Sequence, residues 1–179
     1  TINVDSRDNY YQISRVNPLL IQYLEKVQDK KALDIGCGNG INGRHMIEMG
    51  YDVLGVDIND SAIRLAQSNG VIAQLIDVRN FIWSDNYDLI TILYSLQHLQ
   101  VQEAIQVLNN AYIALNSNGL IIIGIFTDRE NAITTNDVRL LLDQQIDFRI
   151  LDEKCWERED KDHGAPHVHK GFYCVCWKG

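Results

Sequence analysis

The chain has 179 residues and a formal net charge of −8, and 46% of its residues are hydrophobic against 22% charged. This composition excludes a disordered chain, since it provides enough apolar surface to build a core. The acidic balance argues against a protein that binds nucleic acid over a broad basic face. The longest apolar run, residues 120–126, is far shorter than the roughly 20 residues that a membrane span needs.

Targeting signals and cysteine content bear on location. The N-terminal residues lack a basic patch followed by an apolar stretch, so we predict no signal peptide. Four cysteines in 179 residues are too few for a disulfide scaffold, which favours a reduced, cytoplasmic protein. We therefore expect neither a nucleic-acid partner nor a membrane partner.

Short apolar runs alternate with amphipathic segments along most of the chain. The apolar periodicity predicts helices, and their ranges are residues 18–28, 41–49, 60–69, 101–115 and 136–144. Gly50 is placed to end the second of these helices, and Asp60 or Ser61 is placed to cap the third. Residues 116–119 form a predicted turn after the fourth helix.

The buried apolar runs between these helices predict strands at residues 32–35, 52–57, 71–76, 87–94 and 120–126, with two more at 147–156 and 171–177. Such alternation requires a parallel sheet with helices on both faces. Since no helix separates the last two strands, residues 157–170 become a predicted loop that joins an antiparallel pair. The predicted fold is therefore α/β and Rossmann-like, doubly wound, with a mostly parallel seven-stranded sheet and an antiparallel C-terminal hairpin.

Residues 36–40, Gly-Cys-Gly-Asn-Gly, lie where the first strand passes into the second helix. Glycines let the backbone turn tightly and let a ligand approach, and the helix N-terminus offers free N–H groups to an anionic group. Asp57 ends the second strand, where its carboxylate can accept hydrogen bonds from both hydroxyls of an adenosine ribose. Asp77 ends the third strand, where a carboxylate can accept from an adenine amino group.

Residues 38–43 also satisfy G-x-G-x-x-G, the dinucleotide fingerprint. Asp34 comes just before the glycines, where it can orient the turn or hold an ammonium group. A dinucleotide pocket has no obvious use for a carboxylate close to its pyrophosphate. Together with Asp77, this position favours a cofactor other than NAD, and a dinucleotide-binding protein stays the alternative.

Residues 33–40, Leu-Asp-Ile-Gly-Cys-Gly-Asn-Gly, resemble the first motif of the class I S-adenosylmethionine-dependent methyltransferases. Residues 53–58 resemble the second motif of that family, and residues 76–78 resemble its adenine-binding step. Residues 87–99 resemble its fourth strand and the helix entry that follows. The similarity covers about residues 10–126. It implies an enzyme whose cofactor is S-adenosyl-L-methionine and whose last strand is reversed.

The resemblance also implies a role for each matching residue. The methionine part of the cofactor would contact Asp34, Gly36 and Gly38, and Cys37 and Gly40 of the same turn are further cofactor-binding candidates. The ribose would contact Asp57, and the adenine would contact Ile58, Asp77 and Val78. The sulfonium would contact Leu93 and Tyr94. Tyr11 would cover the pocket from an N-terminal lid. The implied organisation is one methyltransferase domain over 1–179, with a helical lid at 1–30, a cofactor-binding half at 31–126 and an acceptor-side half at 127–179.

Residues 160–171 hold three of the five histidines, His163, His167 and His169. They indicate a metal site, since His167 and His169 would point to one side of a strand. They also fit a substrate pocket in which imidazoles position an anion or take a proton, or a solvated hairpin loop. The stretch resembles the C-terminal end of small bacterial tellurite-resistance (TehB-like) methyltransferases. We expect the pocket, with the three histidines as candidate catalytic residues and no metal.

Methyl transfer from a sulfonium to a small-molecule acceptor is the function that these features favour. No insert is long enough for a separate substrate domain, so the acceptor is expected to be small, such as a thiol or a selenium or tellurium oxyanion. The chain is expected to be a monomer or a homodimer. The alternatives are an NAD-type dinucleotide-binding protein, a non-catalytic S-adenosylmethionine-binding module and a metal-binding protein that uses the histidine loop.

Overall fold

The computed structural model describes residues 15–161 and 164–179, so that the predicted site residues Tyr11 and His163 lie outside the described residues. Its strands are β1 (Lys31–Ile35), β2 (Asp52–Asp57), β3 (Ile72–Leu75), β4 (Tyr87–Leu93), β5 (Leu115–Phe126), β6 (Phe148–Asp160) and β7 (His167–Lys178). Its α-helices are α1 (Pro18–Tyr23), α2 (Ile41–Glu48), α3 (Asp60–Ser68), α4 (Val101–Ala114) and α5 (Thr135–Asp143).

The strands form one seven-stranded sheet in the order β3-β2-β1-β4-β5-β7-β6. The predicted α/β fold, with a mostly parallel sheet and an antiparallel C-terminal pair, is confirmed. Among the described residues, none of the helices combines the length and the apolar character needed to cross a membrane. The described residues divide into two compact units, with the boundary between Phe81 and Ile82, and each unit is described in turn.

In the first unit, β1, β2 and β3 are parallel neighbours, with Leu33 opposite Leu54 and Val56 opposite Gln74. The side chains of β1 are buried almost throughout, as a strand covered on both faces requires. Gly50 has a φ of +92° after α2, as predicted for a glycine that ends a helix. The cap of α3 is Asn59, whose side chain accepts from Ala62 N at 3.0 Å, and the prediction of Asp60 or Ser61 was wrong by one residue.

The first helix is shorter than predicted. Its α-helical part ends at Tyr23, and a 3-10 turn covers Leu24–Lys26. Val27 then adopts extended backbone with φ −93° and ψ 126°. Leu24 and Val27 are nevertheless buried. The apolar spacing therefore marked the buried face correctly, but it did not mark where the helical hydrogen bonding stops.

In the second unit, β4 and β5 are parallel, and β7 lies antiparallel between β5 and β6. Residues 120–126 are buried throughout, so the longest apolar run of the sequence forms the core strand. This strand begins at Leu115 rather than at residue 120, because Leu115 pairs with Tyr87 and Leu120 pairs with Leu89. The predicted turn residues 116–119 bulge out between these two pairs, and Asn118 has a φ of +66°.

The C-terminal hairpin is longer than predicted. The ladder between β6 and β7 continues to the pair Asp160 and His167, so the predicted loop at residues 157–170 was wrong at both ends. The charged residues that suggested a loop instead form cross-strand pairs, such as Lys170 with Glu157 at 3.3 Å. Since β6 is the last strand in the sheet order, the charges also protect an exposed edge from pairing with another chain.

Lys178, near the end of β7, closes the C-terminus of α4. Its Nζ donates to the carbonyl oxygens of Tyr112 and Leu115 at 2.9 and 2.8 Å, where a helix leaves its last carbonyls without partners. We expect Lys178→Met to lower the free energy of unfolding by about 1–3 kcal/mol, because it removes charged hydrogen bonds and a cation from a helix C-terminus. Urea unfolding measures this loss. The control is Lys154→Met at an exposed position of β6, and an equal loss in both variants would contradict the capping role.

Candidate functional site

The glycine turn between β1 and α2 has a backbone that only glycine adopts readily. Gly36, Gly38 and Gly40 have φ values of +69°, +54° and +79°, in the left-handed region that a Cβ disfavours. The N–H groups of Gly36 and Cys37 both donate to the Val56 carbonyl, at 2.8 and 3.0 Å. The turn is therefore fixed to the end of β2 by the backbone itself.

Asp57, the last residue of β2, braces the same turn with its side chain. One carboxylate oxygen accepts from Gly38 N at 2.9 Å, and the other accepts from Asn59 N at 2.9 Å. Each carboxylate oxygen has a second lone pair, so both can still accept from a ligand. Ile58 follows with 67% of its surface exposed, which provides an apolar platform beside the carboxylate.

Asp34 and Cys37 are the buried members of this site. Asp34 is only 2% exposed, at the penultimate position of β1. The Cys37 thiol packs at Gly55 of β2, where an added Cβ would lie 2.9 Å from its sulfur. Burial, and then the charges of Asp34 and Asp57, raise the pKa of this thiol. Cys37 is thus held protonated, and since its N–H already donates to Val56, its backbone can offer a ligand only its carbonyl oxygen.

Asp77 follows β3 and is engaged by Arg79. The side-chain Nε of Arg79 lies 3.0 Å from each Asp77 carboxylate oxygen. The backbone N–H of Arg79 donates to one of these oxygens at 2.9 Å. The hydrogen bond from the Arg79 side chain lowers the pKa of Asp77. An adenine contact of Asp77 stays a prediction, in which the amino group would share an oxygen with Arg79. Val78 is half-buried beside it.

In the second unit, the chain turns sharply after Leu93 at the end of β4. Tyr94 has a φ of +59°, and its N–H donates to the Gly124 carbonyl at 2.7 Å. The Gln97 side chain donates to the Tyr94 carbonyl at 2.6 Å. Two buried oxygens here, Ser95 Oγ and Gln97 Oε1, have no hydrogen-bond partner among the described residues. Sequence reasoning missed both, although polar residues directly after a buried strand were a usable signal.

Tyr94 belongs to a cluster of aromatic rings. Its ring centroid lies 4.9 Å from that of Phe126 and 5.9 Å from that of Trp156. Glycines make room for these rings, because a Cβ on Gly124 would lie 3.0 Å from the Tyr94 ring and one on Gly171 would lie 2.2 Å from Trp156. Burial raises the pKa of the Tyr94 hydroxyl. The second unit therefore has an apolar aromatic surface formed by the half-buried Tyr94 and Trp156, with Phe126 buried beside them.

His167 and His169 extend this surface along β7. The His169 ring lies 5.4 Å from that of Phe126, and the Nε2 atoms of the two histidines are 3.0 Å apart. His169 Nδ1 lies 3.2 Å from Asp128 Oδ2, and its Nε2 lies 3.5 Å from Asp160 Oδ2. The side-by-side placement of the two rings was predicted from their spacing. The two aspartates were not part of the predicted site.

A family model described as a methyltransferase domain matches residues 33–121. Among curated relatives, the ubiquinone biosynthesis O-methyltransferase of Histophilus somni (strain 2336) is 26% identical over 133 residues, which cover 65% of this chain and 55% of that protein. The chain thus spans about half the length of the curated relatives it matches.

Solved structures agree on the fold. TehB from Haemophilus influenzae superposes with a TM-score of 0.80 at 18% identity, over 96% of this chain and 65% of that one. The N-methyltransferase NodS from Bradyrhizobium japonicum WM9, solved in complex with S-adenosyl-l-homocysteine, gives a TM-score of 0.73 at 16% identity, over 90% of this chain and 84% of that one. These superpositions establish the architecture. At such low sequence identity they do not identify the methyl acceptor.

Proposed function

Because residues 33–121 match a family model described as a methyltransferase domain and the described residues adopt the class I methyltransferase fold, we propose that this chain transfers the methyl group of S-adenosyl-L-methionine to a small-molecule acceptor. The observation that carries the proposal is the bond between the glycine turn and Asp57. It places a carboxylate with free lone pairs at the carboxyl end of β2, beside an exposed apolar side chain. This is where an open α/β sheet binds a nucleoside.

The residues of the first unit fit this cofactor. The left-handed glycines keep Cβ atoms away from the turn, so that a ligand can approach the backbone. Asp57 would accept from the ribose hydroxyls, and Ile58 would pack on the adenine. Asp34 is placed to attract the ammonium group of the methionine part. Cys37 would contribute its backbone, while Asp77, Val78, Leu93 and Tyr94 stay predicted contacts.

When bound, the cofactor supplies an electrophilic methyl group on a positively charged sulfur. The protein's contribution to such a displacement is to hold the acceptor in line and to exclude water. The half-buried aromatic rings of Tyr94 and Trp156 suit that role, because they offer apolar surface. We assign acceptor binding to the second unit, where both rings lie; Trp156 also falls within the proposed acceptor-side half at residues 127–179.

The acceptor is proposed to be a thiol or a selenium or tellurium oxyanion. At neutral pH these compounds are anions already or lose a proton easily, so that they need little help from a base. A hydroxyl acceptor, as the name of the Histophilus relative implies for that enzyme, needs a base. His169, hydrogen-bonded to Asp128, would serve as that base only while no metal ion occupies its Nε2. The expected monomer or homodimer, and the absence of nucleic-acid and membrane partners, stay predictions.

Calorimetric titration of the full chain with S-adenosylhomocysteine, with NADH in parallel, tests the proposal. We expect saturable, stoichiometric binding of S-adenosylhomocysteine alone. Turnover would then be followed as S-adenosylhomocysteine release from S-adenosylmethionine, with thiols, selenite, tellurite and a catechol as acceptors. Binding of NADH alone would contradict the proposed methyltransferase activity and favour a dinucleotide-binding protein. Binding of S-adenosylhomocysteine without turnover on any acceptor class would favour a non-catalytic module.

A further inference from the structure

Three side chains at the open end of the C-terminal hairpin present donor atoms to one point. They are Asp160 at the end of β6, and His167 and His169 at the start of β7, and their ligating atoms all lie within 4.8 Å of one another. Asp160 pairs directly with His167 across the ladder, and His169 lies two residues farther along. All three therefore project from the same face of the hairpin.

The hydrogen bonds of the two rings determine which nitrogen of each carries hydrogen. His167 Nδ1 lies 3.0 Å from the Ala165 carbonyl oxygen, which is an acceptor only, so this nitrogen must donate. His169 Nδ1 lies 3.2 Å from the Asp128 carboxylate, so this nitrogen donates as well. In neutral imidazole the other nitrogen is then an acceptor. Both Nε2 atoms therefore present lone pairs.

These two lone pairs face each other. The Nε2 atoms are 3.0 Å apart, and Asp160 Oδ2 lies 3.5 Å from His169 Nε2. Three electron-rich atoms at such distances repel unless a cation lies among them. We propose that Asp160, His167 and His169 bind a divalent transition-metal ion, with zinc as the best match.

The distances from His169 Nε2 to the other two ligand atoms agree with tetrahedral zinc, and all three atoms lie within 4.8 Å of one another. A Zn–N bond of about 2.0–2.1 Å and a tetrahedral angle place neighbouring ligand atoms about 3.3 Å apart, between the 3.0 and 3.5 Å observed. Imidazole donors favour zinc, copper and nickel over magnesium or calcium. Three protein ligands leave a fourth position, and His167 is exposed to solvent. That position would take water or an anionic ligand, as in a catalytic zinc site.

The surrounding hydrogen bonds match those that orient metal ligands. Ligating histidines commonly donate their second N–H to a carboxylate or a backbone carbonyl, which fixes the ring and raises its basicity. His169 does so to Asp128, and His167 does so to Ala165. Arg158 lies opposite His169 in the ladder, and its charge acts on Tyr94. A nearby cation opposes metal binding, so the histidine–aspartate cluster must offset it.

Titration of the untagged full chain with Zn²⁺, in competition with a chromophoric chelator, tests the proposal. No S-adenosylmethionine or acceptor is needed, so the result is independent of the proposed function. We expect one Zn²⁺ per chain, and an intense visible spectrum of tetrahedral Co²⁺ when cobalt replaces it. His169→Ala and Asp160→Asn should weaken binding at least 100-fold, and Asp128→Ala should weaken it by about 10–100-fold, as loss of a supporting hydrogen bond does.

His45→Gln, which removes a histidine in the last turn of α2, is the matched control and should bind Zn²⁺ like the parent. Circular dichroism and the urea midpoint establish that each variant is folded. Failure of the parent chain to bind one equivalent of Zn²⁺ would overturn the proposal and leave a proton shared between the two rings. Equal affinity of the His169→Ala and His45→Gln variants would overturn it as well.

Discussion

Asp57→Ala is expected to weaken S-adenosylhomocysteine binding by at least about 100-fold. The substitution removes an acceptor proposed to serve two ribose hydroxyls. Hydrogen bonds to a charged group contribute about 1.5–3 kcal/mol each, and each 1.4 kcal/mol corresponds to a tenfold change in affinity. Calorimetric titration of the parent and the variant measures the ratio directly.

The same carboxylate also accepts from Gly38 N and Asn59 N, so Asp57→Ala could weaken binding by loosening the glycine turn. Asp57→Asn separates the two effects, because its side-chain oxygen can still accept from Gly38. We expect an intermediate loss of affinity and a urea midpoint between those of the parent and Asp57→Ala, because the new amide nitrogen cannot accept from Asn59 N. Asp52→Asn, at the exposed first position of the same strand, should leave both quantities unchanged.

A 2′-deoxy analogue of S-adenosylhomocysteine gives a sharper readout. The parent chain should bind the analogue more weakly than S-adenosylhomocysteine, because Asp57 loses one hydroxyl partner. Asp57→Ala should discriminate little between the two ligands, since neither then meets a carboxylate. If the variant discriminates as strongly as the parent, Asp57 acts on the turn alone, and the ribose contact is wrong.

The parallel part of the fold could be predicted from the sequence, because burial on both faces leaves a continuous apolar run. Residues 120–126 are such a run, and all of them are buried in β5. The hairpin was harder, because β6 lies at the sheet edge and alternates charged residues with half-buried ones. Its cross-strand partners, rather than its apolar content, extend it to Asp160. Charge content therefore suggested a loop where an edge strand stands.

Local rules also failed where three neighbouring residues could cap the same helix. Asn59, Asp60 and Ser61 are all good helix caps, and only the extended backbone of Asn59 selects it. Residue types also did not indicate that Arg79, two residues after Asp77, hydrogen-bonds to its carboxylate; the adenine contact of Asp77 stays a prediction. Both outcomes depend on backbone geometry that residue types alone do not specify.

Contacts between residues far apart in the chain could not be predicted from the sequence. The spacing of His167 and His169 predicts two rings on one side of a strand, and the structure has them there. Asp128 is 41 positions away from His169, and no local pattern connects the two. Likewise, no local pattern predicts that Gly124 and Gly171 leave space for the rings of Tyr94 and Trp156. The predicted histidine site therefore lacked the carboxylates that favour a metal ion over a simple pocket.

Gly40→Ala, in the glycine turn, is expected to destabilise the fold strongly. Gly40 has a φ of +79°, and an added Cβ would lie 2.8 Å from the Ala66 Cα and 2.9 Å from its Cβ. The left-handed conformation costs a residue with a side chain about 1–2 kcal/mol, and forcing extra volume into a packed site costs about 1–3 kcal/mol more. We expect a total loss of about 2–5 kcal/mol in the free energy of unfolding, measured with urea.

Gly70→Ala is the matched control, because Gly70 has a φ of +84° and an added Cβ would meet nothing within 4 Å. Its loss should be limited to the backbone cost of about 1–2 kcal/mol. The difference between the two variants then isolates the close approach of the turn to Ala66 of α3. Equal losses would mean that Gly40 is required for its backbone angle alone. A larger loss for Gly40 assigns this glycine to packing between the turn and α3, which is a structural requirement that holds before any cofactor binds.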